Sequence, residues 1–135
     1  MSRNLTAEEL SRHRHVPLLD RRRARIHSVR RLPRGSSAMT FGRHIFVRRD
    51  FVGDESLLAH ELVHVWQWRD LGTASFLWRY VVPYLRERLR GRGHWKAYEL
   101  IPLEAEARRL SAPGPQEVAR GPSTRVSPWR RVKPL

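Results

Sequence analysis

Cysteine is absent from the 135-residue sequence, which excludes disulfide bonds, thiolate metal ligands and a thiol nucleophile. Lysine is nearly absent too, since only two of the 27 basic residues are lysine. No segment approaches the ~20 apolar residues of a membrane-spanning helix, and the N-terminus lacks the apolar run of a signal peptide. We therefore expect a cytoplasmic protein with room for one ordinary domain.

Acidic side chains are also few, 13 against 27 basic ones, which gives a formal net charge of +14. The excess lies at the ends: residues 1–38 carry +7, residues 39–111 carry +3 and residues 112–135 carry +4. This distribution predicts a basic N-terminal arm with a short helix, a core over 39–111 and a disordered, proline-rich basic tail over 112–135. Such flanks could contact nucleic acid or an anionic membrane through charge alone.

Apolar residues alternate over residues 39–47, which predicts one β-strand with Gly42 inside it at a bulge or close backbone approach. Residues 55–71 show helical spacing between a capping residue, Asp54, and a terminating glycine, Gly72. Two later helices are predicted, over residues 73–91 and 102–110. We expect an α+β domain in which a short antiparallel sheet packs on the 55–71 helix.

The most informative segment is His60-Glu61-Leu62-Val63-His64. Residues four apart lie on one face of a helix, so His60 and His64 can direct two imidazoles at one metal ion. Glu61 is rotated about 100° from His60, beside such an ion, where a general base would act on a metal-bound water. The alternative is two ordinary histidines on a buried helix face, because so short a motif also occurs by chance.

A catalytic zinc needs a third protein ligand and an open position. The carboxylate candidates are Glu99, Glu104 and Glu106. Glu104 follows Pro102 in the first turn of a predicted helix, which fixes its direction. Four histidines are weaker candidates: His13, His15, His44 and His94.

The segment around this motif resembles the active-site helix of zincins. It reads Leu57-Leu58-Ala59-His60-Glu61-Leu62-Val63-His64-Val65-Trp66-Gln67. More narrowly, the chain is similar to small bacterial metallopeptidases of the gluzincin type, including those related to the core domain found with extracellular contractile injection systems. Two further parts of the chain carry the rest of the likeness. They are the preceding strand and the segment Ile101-Pro102-Leu103-Glu104-Ala105-Glu106-Ala107. The resemblance implies a minimal zincin-like fold and one Zn²⁺ per chain, held by His60, His64 and Glu104.

The resemblance also implies hydrolysis of a peptide or protein substrate with Glu61 as general base. We expect supporting contacts, to substrate or to the ligands, from Gln67, Tyr98, His94 and Glu106. Two departures argue for the alternative of an inactive zinc-binding module that serves a larger assembly. Arg108 stands where these enzymes often place an aspartate that orients a histidine ligand, and no tyrosine or histidine follows Tyr98 to stabilise an oxyanion. A third hypothesis is a nucleic-acid- or membrane-associated protein that acts through its basic flanks.

Overall fold

The computed structural model describes residues 2–112, which form an α+β fold of four strands and six helices. The predicted fold class is therefore confirmed. The strands are β1 (Ser2–Asn4), β2 (Arg25–Val29), β3 (Ala38–Phe41) and β4 (His44–Arg48). The helices are α1 (Ala7–Arg12), α2 (Leu18–Arg23), α3 (Glu55–Leu71), α4 (Thr73–Leu89), α5 (His94–Glu99) and α6 (Pro102–Ser111). Two short 3₁₀ turns cover Pro33–Gly35 and Arg49–Phe51.

The strands form one sheet in the order β1-β2-β4-β3. β1 pairs with β2, and β3 with β4, in antiparallel fashion, but β2 and β4 run parallel. The predicted antiparallel sheet is thus wrong at its centre, because β2 lies there and runs parallel to β4. Strand β3 lies at one edge, and its Thr40 contacts α3.

The predicted single strand over 39–47 is two strands, β3 and β4, joined by a two-residue turn at Gly42-Arg43. Gly42 has a φ of +63°, a left-handed conformation that glycine adopts without a steric penalty from a Cβ atom. The apolar residues on both sides of the turn keep the same odd-numbered spacing although Arg43 lies between them, which explains why the pattern read as one strand. The turn brings β3 back along β4, so that Phe41 lies opposite His44.

The basic N-terminal segment is tied into the folded body rather than extending into solvent. Thr6 and Glu9 form the capping box of α1, with both reciprocal hydrogen bonds present. Arg21 is buried and donates to the backbone carbonyls of Val16 and Leu10. A solvated arm would leave this guanidinium in water, whereas here it satisfies carbonyl groups inside the fold.

Helix α3 is the central element, and its predicted boundaries are confirmed. Asp54 accepts a hydrogen bond from the Leu57 amide at the start, and Gly72 ends the helix at a φ of +79°. Leu62 and Val63 are fully buried in a core that this helix shares with Ile26 and Ile45 of the sheet. This packing fixes the helix that carries both motif histidines.

Three helices follow α3 rather than the predicted two. The additional one, α5, is six residues long and lies where Gly91 and Gly93 indicate a loop. A second core between α3, α4 and α6 contains Trp68, Phe76, Ile101 and Leu103. Trp78 lies in an apolar stretch of α4, which favours a place in the core, but it is 59% exposed.

The predicted disordered tail over 112–135 lies outside the described residues, apart from Ala112. Within the described part of the chain, no helix combines the length and apolar character needed to cross a membrane.

Candidate metal centre

The structure brings together the three residues that the resemblance implies as ligands. His60 and His64 project from one face of α3, and Glu104 meets them from the first turn of α6. Their donor atoms all lie within 4.8 Å of one another. His60 Nε2 is 2.9 Å from Glu104 Oε2, His64 Nε2 is 3.0 Å from Glu104 Oε1, and the two Nε2 atoms are 3.2 Å apart.

Gln67 determines which nitrogen of His64 faces the cluster. The Gln67 amide nitrogen donates to the carbonyl of Leu103 at 3.0 Å, so the amide oxygen faces His64 Nδ1 at 2.7 Å. Since that oxygen only accepts, Nδ1 must carry a proton. Neutral His64 therefore presents an unprotonated Nε2 to Glu104, as a metal ligand requires.

This arrangement could hold a cation. Glu104 is 1% exposed and its carboxylate faces imidazole nitrogens that in their neutral, ligand-ready form are also acceptors. Acceptors at these separations repel unless a proton or a metal ion lies between them. Two imidazoles and a carboxylate suit Zn²⁺, so the donor set fits the metal that the sequence indicates.

Without a metal ion, the surroundings of His64 favour its protonated form. Burial alone would lower the pKa of His64, but the negative charge and hydrogen bond of Glu104 outweigh it and raise the pKa to about 9. Burial would likewise raise the pKa of Glu104, yet the charge of His64 and the hydrogen bonds from both histidines hold it well below the usual value. The carboxylate is thus charged throughout the physiological range.

Two tyrosines hold the Glu104 carboxylate from its other side. The hydroxyl of Tyr80 on α4 donates to Oε1 at 2.8 Å, and that of Tyr98 on α5 donates to the same oxygen at 2.6 Å. Burial and the adjacent negative charge raise the pKa of both phenols, so both remain protonated donors. They orient the carboxylate towards the histidines from two separate helices.

Glu61 lies next to the ligands but is held by the sheet. The side chain is 4% exposed, and Thr40 of β3 donates to Glu61 Oε2 at 2.6 Å. Glu61, His60 and Glu104 line one cleft of about 430 Å³, whose other walls include Gly35–Ala38 and Trp95. A carboxylate fixed by one oxygen at the wall of a cleft is suited to proton transfer with a bound molecule.

The other candidates lie elsewhere. His94 contacts the Tyr84 hydroxyl at 2.9 Å, and Glu106 pairs with Arg109 on the outer side of α6. Glu99 is exposed and lies 3.8 Å from Lys96. Three further histidines have partners away from the site, His13 with Glu55, His15 with the carbonyl of Ala59, and His44 with His27.

The sequence does not reveal the roles of Thr40 and Tyr80. Both act across the tertiary structure, from 21 and 24 residues away in the chain, and neither belongs to a local motif. For Tyr80 the one signal was a polar hydroxyl within an otherwise apolar stretch of α4.

The family model of the eCIS core domain, the core domain of extracellular contractile injection systems, matches residues 19–72. This segment is less than half of the chain and runs from α2 to the end of α3, so it includes His60, Glu61 and His64 but not Glu104. The chain is therefore similar to eCIS core domains over three strands of its sheet, β2 to β4, and over its motif helix. No curated protein and no solved structure matches the chain.

Proposed function

We propose that this protein is a zinc-dependent peptidase whose single metal is held by His60, His64 and Glu104. The observation that carries the proposal is the convergence of two α3 imidazoles and a buried α6 carboxylate at hydrogen-bond separation, where they could hold a metal ion. Three protein ligands with room for a fourth are typical of catalytic zinc. When bound, zinc would polarise a substrate carbonyl and acidify a water molecule.

The chain's own residues would carry the proton transfers and the positioning. Glu61 would accept a proton from the attacking water and deliver it to the departing amine, with Thr40 holding the carboxylate in place. Tyr80 and Tyr98 would keep Glu104 oriented, and Gln67 would keep His64 in the tautomer that binds metal.

The sheet offers a way to position an extended peptide. Strand β3 is an edge strand, and Ala38, its first residue, lines the cleft. A substrate could therefore add to the sheet by backbone hydrogen bonding next to the ligands. Pairing with the sheet edge needs an extended main chain, so this geometry favours a peptide or protein substrate.

A second candidate function is a zinc-binding module that serves a larger assembly without hydrolysis. The similarity to eCIS core domains favours a place in a contractile injection assembly. The outer face of α4 also favours an assembly role, because Trp78, Val81 and Leu85 are 42–59% exposed there. An exposed apolar stripe of this kind is typical of contact surfaces.

The Glu61→Gln variant separates the two functions. We expect it to retain about one zinc per chain and to lose peptide hydrolysis by roughly 10²–10⁴-fold, the usual contribution of a general base. Cleavage of a random peptide mixture, followed by mass spectrometry, measures the loss. Glu106→Gln is the matched control, since Glu106 pairs with Arg109 outside the cluster. Undiminished cleavage by the Glu61 variant would refute the peptidase mechanism, and absence of cleavage by the zinc-loaded native protein would favour the assembly module.

A further inference from the structure

Arg108 places a positive charge in the cleft beside the candidate metal centre. It follows Glu104 by four residues on α6, so both side chains lie on the same helix face, about 6 Å apart along the axis. Arg108 and Glu104 both line the cleft that contains His60 and Glu61. The Arg108 side chain therefore borders the space in which a substrate would lie.

The surroundings of Arg108 fix its position without neutralising its charge. Its Nη2 atom donates to the backbone carbonyl of Glu99 at 2.6 Å. Among residues 2–112, no carboxylate lies within ion-pair distance of Arg108. Arg109, the next residue, differs in this respect, because Glu106 pairs with it. Of the described side chains that line the cleft, Arg108 alone carries a permanent positive charge.

The carboxylates in the cleft are already engaged. Asp54 caps α3, Glu61 accepts from Thr40, and Glu104 accepts from the two tyrosines. A fixed guanidinium with unused donors binds a carboxylate more strongly than a neutral group, because it offers charge and paired donors together. The net charge of +14 would also attract an anionic peptide from a distance.

We propose that Arg108 is a specificity-determining residue that binds a carboxylate of the substrate, an acidic side chain or a free C-terminus. This inference rests on the proposed peptidase function. An extended chain rises about 3.3 Å per residue, so the carboxylate would lie within one or two residues of the bond at the metal. The site would then select either acidic sequences or chain ends.

Four short peptides distinguish the two sources of the carboxylate. Ac-Ala-Ala-Ala with a free C-terminus is compared with its amide, and Ac-Ala-Glu-Ala amide is compared with Ac-Ala-Gln-Ala amide. Calorimetry measures their binding to zinc-loaded protein carrying Glu61→Gln, so that hydrolysis does not interfere. The same titrations are made after adding Arg108→Gln or, as the matched control, Arg109→Gln.

We expect at least one carboxylate peptide to bind about tenfold more tightly than its neutral partner, the usual gain from a hydrogen bond to a charged group. Arg108→Gln should abolish that preference and Arg109→Gln should retain it. Equal binding within both pairs, including no binding at all, would overturn the inference, as would equal losses in the two arginine variants. Preference for the carboxylate without any turnover by the native protein would leave the role of Arg108 intact and reject the peptidase function.

Discussion

Two buried carboxylates, Asp20 and Glu104, are compensated in different ways. Asp20 is fully buried and forms a bidentate ion pair with Arg69, at 2.5 Å to Nε and 2.8 Å to Nη2. Glu104 is equally inaccessible but faces histidines and tyrosines. Arginine is permanently charged, so the Asp20 pair needs nothing further. The partners of Glu104 supply a positive charge only by binding a proton, which a metal ion can replace. The Asp20–Arg69 ion pair is structural, whereas the cluster around Glu104 is suited to exchange a proton for a metal ion.

Arg69→Met should break the structural pair and leave the candidate metal centre intact. It removes the counter-charge of a fully buried carboxylate, so we expect a loss of about 3–5 kcal/mol in the free energy of unfolding. Chemical denaturation of the metal-free variant measures this loss. Arg69→Lys is the control and should lose less, because it keeps the charge while losing the bidentate geometry.

The folded Arg69→Met protein should still bind about one zinc per chain. If the variant unfolds no more readily than the native protein, Asp20 is not a structural anion. If it loses zinc while folded, the two carboxylates are coupled and the comparison fails.

Gln67→Leu should weaken zinc binding while leaving the ligands in place. The hydrogen bond from His64 Nδ1 to Gln67 fixes the tautomer of the ligand, and loss of such a partner commonly costs about 10–100-fold in metal affinity. Competition against a chromogenic chelator measures the change. Gln67→Glu keeps an acceptor for His64 and should stay closer to native affinity; equal weakening in both variants would assign Gln67 a packing role only.

Zinc binding should depend on pH because His64 must lose its proton. With the pKa of His64 raised to about 9, metal binding near neutral pH displaces one proton. The apparent affinity should fall about tenfold for each pH unit below 9 and level off above it. Glu104 adds no dependence there, since its lowered pKa keeps it ionised. Calorimetry in buffers of different ionisation enthalpy counts the protons; release of none would contradict a protonated His64.

Features that depend on local signals could be predicted from the sequence, whereas contacts between distant elements could not. Local signals were sufficient for α3, because Asp54 and Gly72 mark its ends, and the four-residue spacing places both histidines on one face. The residues alone offered Glu104 as one of three carboxylate candidates, and the resemblance singled it out, because a ligand on another helix has no local signature. The tertiary contacts of Tyr80 and Thr40 have no local signature in the sequence either.

The sheet was harder to predict for a related reason. The apolar residues before and after the turn at Gly42 keep the same two-residue spacing, so the pattern did not separate β3 from β4. β2 has few strong strand formers and gains its place from pairing with β4. Arg21 appeared in a cluster of arginines typical of a solvated surface, yet backbone carbonyls inside the fold accept its hydrogen bonds.

The central claim is that the buried cluster of His60, His64 and Glu104 binds a metal ion. Metal content measured by mass spectrometry, on the native protein and on Glu104→Ala, tests it most directly. The account predicts about one zinc per native chain and little or none in the variant, with Glu106→Ala as an unaffected control. A native protein that binds no metal when zinc is supplied would contradict the claim and leave His60 and His64 as ordinary residues of α3.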